Sequence, residues 1–306
     1  MMKQDAVTSS GSSKAQKDQR FKEIKVFLKL VTTNPLSMIG LAIIIVFVLL
    51  GIFGPYLAPY PQQAEGTPNL PTQLLPPSLR FPFGTDEFGR DILSRVIFGA
   101  RISLITSAVI VGSALAIGIP LGAVAGYYGG KISSVIMRIT DMFLAFPPLL
   151  LALAVAATLG GSIVNAVLAL IGTWWPWYTR LAYSQSLATR NLPYVDAARA
   201  IGVGDPVIVV RHIVPATLAP ILVQATLDLG SAILAVAGLS FLGLGAQPPT
   251  PDWGLMVNTG RTYFLQHWWY ATFPGLAIMV VVLGFNLFGD AIREAIDPKL
   301  SRRRLI

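Results

Sequence analysis

Asp228 is the residue whose position most clearly invites a chemical role. It is the only Asp, Glu, Lys or Arg in the apolar stretch from His212 to Ala246. An ionisable side chain in such a stretch is expensive to bury and is a candidate functional group. It could line a polar path, or pair with a group on another helix or subunit, and the sequence favours neither.

A cluster of large aromatic residues surrounds Pro176. It consists of Trp174, Trp175, Trp177 and Tyr178. Core packing, or a place at a membrane interface, is the favoured interpretation, because amphipathic rings suit both settings. Lining a path that bends at Pro176 is the alternative, with Trp174 as the candidate residue.

A more polar segment near residues 190–206 could bind another protein. It predicts a short helix ended by Gly202 and Gly204, with Asp205 capping the helix that follows. Ala197 and Ala198 are small enough for another surface to approach closely. Composition alone favours an ordinary amphipathic loop helix. The candidate contact residues are Tyr194, Asp196, Ala197, Ala198, Ala200, Ile201, Gly202, Val203, Gly204 and Asp205.

A second charged segment lies at residues 83–104. Asp86 and Arg90 are four residues apart, as are Asp91 and Arg95, and this spacing allows ion pairs on a helix. Such pairs would anchor a loop to the rest of the protein, and we favour that role over contact with an external protein. The residues of interest are Gly84, Asp86, Gly89, Arg90, Asp91 and Arg95.

The sequence lacks the residues that several kinds of functional site require. There is no Cys, which excludes disulfides and thiolate metal sites. The one Gly-Lys pair ends at Lys131, but Ala125 and Ile132 stand where a phosphate-binding loop needs Gly and Ser or Thr. The chain is therefore not expected to hydrolyse ATP. His212 and His267 are predicted on opposite sides of a membrane, so they cannot share a metal.

The composition predicts a polytopic membrane protein. Of 306 residues, 54% are hydrophobic and 12% are charged, with a mean hydropathy of +0.64. Soluble domains carry roughly 25% charged residues, and disordered chains need still more charge. This composition excludes a disordered chain and disfavours a soluble globule.

The apolar runs predict six membrane-spanning helices, since about 20 apolar residues cross the hydrocarbon core. Gly160 to Ser162 divide the long run between Met142 and Thr179. A stripe of glycines four residues apart in the second span should let helices pack closely; it consists of Gly118, Gly122 and Gly126. The predicted spans are 36–56, 100–126, 136–159, 162–184, 214–238 and 271–292.

The cations predict the orientation. With both termini in the cytosol, 18 of the 23 Lys and Arg residues face inward, as the positive-inside rule requires. Topology thus accounts for the net charge of +8, and nucleic acid is not an expected partner. Residues 21–31 predict an amphipathic helix at the inner interface, and residues 1–19 predict disorder. The Pro-rich segment 55–82 and the segment 243–269 predict external loops.

Four motifs in order resemble one family. Asp196-Ala197-Ala198, then Gly202 and His212-Ile213-Val214-Pro215, keep the spacing of the "EAA" loop of ABC-importer permeases, with Asp for Glu, His for Ile and Val for Leu. The stretches 83–104 and 238–254, and the tail from 290 to 298, are similar to the second permease subunit of dipeptide, oligopeptide and nickel importers. The resemblance covers about residues 34–300.

The resemblance implies a function and a set of partners. The 190–206 loop would be the coupling helix that docks on a cytosolic ATPase. The partners would be a homologous permease, forming a heterodimer, two ATPase subunits, an external solute-binding protein and the lipid bilayer. ATP and magnesium would be bound by the ATPase subunits, and this chain would bind no cofactor or metal. The location would be the inner membrane of a bacterium or archaeon.

The sequence does not determine the substrate. Di- or oligopeptides are the leading interpretation, with nickel chelates, glutathione-like peptides or sugars as alternatives. The rival class of protein is a secondary transporter or channel that works alone. An embedded enzyme is disfavoured, since no polar catalytic cluster appears. The expected organisation is a cytosolic arm (1–33), a first span with its external loop (34–98), a five-helix permease core (99–296) and a basic cytosolic tail (297–306).

Overall fold

A computed structural model of the chain describes residues 34–296, with side chains as far as Glu294. The predictions for the N-terminal arm and the basic tail lie outside these residues. The described chain is helical, with no strand. Its helices are α1 (Pro35–Leu57), α2 (Pro61–Ala64), α3 (Ile92–Tyr128), α4 (Gly130–Leu144), α5 (Pro148–Leu159), α6 (Ile163–Thr189), α7 (Pro193–Ala200), α8 (Asp205–Ile208), α9 (Val214–Phe241), α10 (Trp253–Gly260) and α11 (Trp269–Ile296).

Four helical stretches of the described chain are long and apolar enough to cross a membrane. They are α1, α3, α11 and the run Asp205–Phe241, in which a π-helical turn joins α8 to α9. The bent pair of α4 and α5 would make a fifth span. With α6, a helix of 27 residues that covers the predicted span 162–184, these helices are consistent with the predicted six. The all-α, polytopic fold class is confirmed.

The third predicted span is wrong as a single straight helix. Residues 136–159 fall on α4 and α5, which meet at an angle of 85°. The break contains Pro147 and is followed by Pro148 at the start of α5. Proline has no backbone N–H and disfavours a helical conformation in the residue before it, so two in succession interrupt the helix here.

The long helices α1, α3 and α6 each begin after a residue whose side chain accepts a hydrogen bond from a first-turn N–H. Asp91 accepts from the Ser94 N–H at 2.8 Å at the start of α3, and Asn34 accepts from the Leu36 N–H at the start of α1. Ser162 caps α6 in the same way, which confirms the predicted division after Gly160. These caps fix the helix ends.

The predicted glycine stripe brings α3 against α6. A Cβ atom added at Gly118 would lie 2.6 Å from the Cβ of Tyr178, and one at Gly122 would lie 2.3 Å from the carbonyl oxygen of Thr179. At Gly126 it would lie 2.5 Å from the Cβ of Ser186. No real side chain fits at these distances, so the close packing that the sequence predicted is confirmed.

Three buried clusters hold the helices together. One lies among α3, α5, α6 and α9 and includes Tyr178 and Leu170. A second joins α1, α3, α10 and α11 around Trp253 and Phe285. The third packs the end of α3 against α7 and α8, and it positions the loop that the sequence singled out.

Candidate functional site

The helix α7 presents one face to solvent and one face to the bundle. Val195 and Ala198 are buried in the cluster with the end of α3. Asp196, Ala197 and Ala200 are exposed on the opposite side. Ala198 was predicted as a contact residue for another protein, but its side chain faces the bundle instead. The remaining outward residues combine small side chains with a charge, which suits close approach by a protein.

An exposed apolar residue extends this outer face. Ile201 is 80% exposed directly after α7, and Tyr194 is 46% exposed near its start. These two apolar side chains are candidate contacts for another protein, and single exposed apolar residues also occur on ordinary surfaces. Together with the exposed residues of α7, they form what we call the docking face: Tyr194, Asp196, Ala197, Ala200 and Ile201.

The turn after α7 differs in one respect from the prediction. Gly202 has a φ of +81°, the left-handed conformation that ends a helix and favours glycine. Gly204 then occupies the capping position of α8, and Asp205 is the first residue inside it. The prediction that Asp205 caps α8 is wrong, because its Oδ1 instead accepts a 2.6 Å hydrogen bond from the hydroxyl of Tyr127.

Arg199 links the docking face to the end of α3. Its Nη1 lies 2.9 Å from Asp196 Oδ1, and its Nε donates to the hydroxyl of Tyr127 at 3.4 Å. The guanidinium also lies over the Tyr127 ring, 5.2 Å from the centroid. The hydrogen bond to Tyr127 raises the pKa of Arg199, with the charge of Asp196 a smaller contribution. Tyr127 was not among the predicted functional residues, because its one signal in the sequence is its place at the end of an apolar run.

The buried carboxylate of Asp228 is held by neutral hydrogen-bond donors. Its Oδ2 accepts from the hydroxyl of Tyr178 on α6 at 2.6 Å, and its Oδ1 accepts from Gln224 at 3.0 Å. The side chain is 7% exposed, and the Trp174 side chain lies near its carboxylate. The two residues predicted to line a path are therefore neighbours. No described residue forms an ion pair with Asp228.

An ion pair links two helices at the surface of the bundle. Asp141 on α4 forms an ion pair with Arg180 on α6. The partner of Asp141 therefore comes from a different helix. Both side chains are about half exposed, so this pair ties α4 to α6 at the surface.

The charged segment before α3 folds into a buried network, which we call the outer cap. Asp86 is fully buried, and its Oδ2 accepts from Arg90 Nε at 2.7 Å, as predicted. The predicted pair of Asp91 with Arg95 is wrong. Asp91 is engaged as the cap of α3, and Arg95 instead lies 3.5 Å from Asp86. Burial raises the pKa of Asp91 above its ordinary value.

The outer cap also joins the two segments that the sequence predicts to be external loops. Arg95 donates to the carbonyl oxygens of Pro249 and Thr250 at 3.3 and 3.4 Å. Trp253 donates to the carbonyl of Val96 at 2.9 Å. Tight turns at two glycines of positive φ, Gly84 and Gly89, complete the segment. At Gly89 an added Cβ would meet the Asn69 carbonyl oxygen at 1.9 Å, so these family-motif residues anchor the loop.

These features define a multi-pass helical membrane protein in which the exposed face of α7 lies near one end of α3 and the buried charged network of the outer cap lies at the other. The family model for the binding-protein-dependent transport system inner membrane component matches residues 118–302. The model for the N-terminal membrane domain of oligopeptide transport permease C matches residues 26–77. The chain belongs to this family of transport permeases, which confirms the resemblance seen in its motifs.

Individual relatives match over almost the whole chain. The probable D,D-dipeptide transport system permease protein DdpC of Escherichia coli (strain K12) is 45% identical, over 94% of this chain and 96% of its own. The dipeptide transport system permease protein DppC of Alkalihalophilus pseudofirmus is 45% identical, over 92% and 90%. The glutathione transport system permease protein GsiD of Escherichia coli O6:K15:H31 is 43% identical, over 87% of each.

A solved structure shares the fold. An inward-facing structure of the MetNI methionine ABC transporter has a TM-score of 0.54 and 18% identity. The match covers 67% of this chain and 98% of that one. At this identity the likeness concerns the fold alone.

Proposed function

We propose that the chain is a permease subunit of an ATP-driven importer of di- or oligopeptides, and that its docking face binds a cytosolic ATPase. The observation that carries the proposal is the exposure of Ile201 and Asp196 on a helix whose other face is locked to the bundle. A surface that is open yet rigidly mounted can transmit a partner's movement.

The remaining assembly follows from the same proposal. A homologous permease would complete the path, two ATPase subunits would dock from the cytosol, and an external solute-binding protein would deliver the substrate. ATP and magnesium would be bound by the ATPases. Closure of the ATPases on ATP would draw the docking faces together and switch the bundle from inward-facing to outward-facing, and hydrolysis would reset it. Both termini would lie in the cytosol.

Peptides are proposed as the substrate because the names of the relatives refer to peptide transport. Their names specify a D,D-dipeptide, a dipeptide, a di- or tripeptide, and glutathione, which is itself a peptide. Specificity would reside mainly in the binding protein. The decisive measurement is mass spectrometry of the ligand that co-purifies with the cognate binding protein, followed by ATP-dependent uptake of that ligand into proteoliposomes. A ligand with no peptide bond would contradict the substrate proposal.

The docking face is tested by adding a charge to its most exposed apolar residue. Ile201→Asp should reduce the ATPase that co-purifies in mild detergent by about tenfold or more, the effect expected for a central interface residue. Because Ile201 is 80% exposed, little internal packing is lost. Leu79→Asp is the matched control, since Leu79 is fully exposed on the external loop. Equal retention of ATPase by both variants would contradict the proposal.

A further inference from the structure

Tyr127 lies where the transmembrane bundle meets the loop that carries the docking face. It occupies the last turn of α3 and is 6% exposed. Its side chain belongs to a buried cluster that draws on α7, α8 and the π-helical turn. The other members of that cluster are Ala123, Val195, Ala198, Ile208, Val209 and Ile213.

The hydroxyl of Tyr127 uses both its donor and its acceptor capacity. It donates to Asp205 Oδ1 at 2.6 Å and accepts from Arg199 Nε at 3.4 Å. Asp205 belongs to α8 and Arg199 to α7, so one hydroxyl contacts both helices. Hydrogen bonds to charged groups are stronger than those between neutral groups, and this one has a charge on each side.

The two helices that Tyr127 contacts are joined by a turn that has room to move. Gly202 adopts a left-handed conformation, and a Cβ atom added there would meet nothing within 4 Å. At Gly204 the nearest atom would be 4.0 Å away. A backbone hydrogen bond from the Val203 N–H to the Ala198 carbonyl at 3.0 Å closes the turn, and the Val203 side chain packs against the buried cluster. The hydroxyl of Tyr127 adds a polar contact to this turn, whose two glycines have open space beside them.

We propose that Tyr127 is a positioning residue whose hydroxyl fastens α7 and α8 to α3, so that displacement of the docking face moves the transmembrane bundle. The proposal rests on the function proposed above, since it assigns the route from the ATPase to the bundle. Without the hydroxyl, α7 would still offer its docking face but would shift partly on its own.

The test compares two neighbouring tyrosines in the assembled transporter. Tyr127→Phe keeps the ring, its packing and its contact with Arg199, and removes only the hydroxyl. Tyr128→Phe is the matched control: Tyr128 is 41% exposed and its hydroxyl makes no hydrogen bond within the described residues. Tyr127→Phe should retain ATPase binding while peptide imported per ATP hydrolysed falls roughly three- to tenfold, and Tyr128→Phe should match the wild type.

A second measurement does not depend on transport. In the purified chain, amide hydrogen exchange across residues 193–208 should rise roughly three- to tenfold in Tyr127→Phe and stay unchanged in Tyr128→Phe. Asp205→Ala should also raise amide hydrogen exchange in this segment. The double variant Tyr127→Phe with Asp205→Ala should exchange no faster than Asp205→Ala alone. Additive effects would mean that the two side chains do not act through their shared hydrogen bond, and would overturn the proposal.

The outcomes separate this inference from the proposed function. Faster exchange with an unchanged ratio of import to hydrolysis would reduce Tyr127 to a stabilising contact and overturn its positioning role. Equal behaviour of the two tyrosine variants in both measurements would do the same. A wild-type chain that never binds an ATPase would overturn the proposed function, and the exchange measurement would still decide whether Tyr127 fastens the loop.

Discussion

Single residues in the outer cap show how burial decides which charged groups meet. The spacing of Asp86 and Arg90 predicted their ion pair correctly, because the loop turns tightly at Gly89 between them. The same spacing wrongly predicted an ion pair between Asp91 and Arg95. The Asp91 carboxylate instead accepts a hydrogen bond from the Ser94 N–H in the first turn of α3. Pairwise spacing cannot reveal which of two partners a carboxylate will take.

Asp91 provides a pH-sensitive prediction at this scale. Burial raises its pKa in the folded protein, so the stability that this carboxyl contributes is greatest below its unfolded pKa and is lost as pH rises through the folded value. Asp91→Asn keeps a side-chain oxygen to cap α3 and cannot ionise. We expect it to be at least as stable as the wild type at neutral pH, and less dependent on pH. Asp91→Ala should lose about 1–2 kcal/mol with the cap.

Thermal unfolding of the detergent-purified chain, followed from about pH 4 to pH 8, measures both variants against the wild type. If Asp91→Asn is as unstable as Asp91→Ala at neutral pH, the negative charge itself is needed and the interpretation is wrong.

At the scale of elements, the sequence predicted periodic features well and local interruptions poorly. The glycine stripe of α3 was readable because its spacing of four residues places all three on one helical face. The apolar run over α4 and α5 hid a bend, since Pro147 and Pro148 lie in a stretch long enough to span the membrane. The hydrogen bond of Tyr127 could not be predicted from local spacing, because its partner Asp205 is 78 residues away in sequence.

The contact between α3 and α6 gives the prediction that belongs to this scale. Gly122→Ala places a methyl group 2.3 Å from the Thr179 carbonyl oxygen, so the helices must separate. We expect a loss of about 1–3 kcal/mol, as for other overpacked interiors. Gly112→Ala is the control on the same helix, because its Cβ would meet nothing within 4 Å and alanine favours a helix over glycine.

In detergent, the midpoint temperature of thermal unfolding should therefore be lower for Gly122→Ala than for the wild type. For Gly112→Ala it should equal the wild-type midpoint or exceed it. The same midpoint for both variants would show that α3 and α6 are not held at the distance observed.

For the whole molecule, composition was sufficient to predict a helical membrane protein, and the family confirms it. The fold alone does not reveal the orientation across the membrane. That prediction depends on the distribution of Lys and Arg along the sequence. The outer cap and the docking face lie at opposite ends of α3, since Asp91 caps its start and Tyr127 lies in its last turn. If α3 spans the membrane, as its length and composition indicate, they lie on opposite sides of it.

The absence of cysteine makes this orientation directly measurable. Leu79→Cys and Ile201→Cys each introduce one exposed thiol into the chain. A membrane-impermeant maleimide added to intact spheroplasts should label Leu79→Cys and spare Ile201→Cys until the membrane is opened. The reverse pattern would contradict cytosolic termini and a cytosolic docking face.

The length of α3 has a consequence for communication across the bilayer. Its 37 residues form a continuous helix with one internal proline, Pro120, and extend about 55 Å at 1.5 Å per residue. One end is clamped by the outer cap and the other is fastened by Tyr127. Under the proposed function, α3 would move as one continuous body, so a protein that displaces the outer loops would also displace the end of the helix that carries Tyr127.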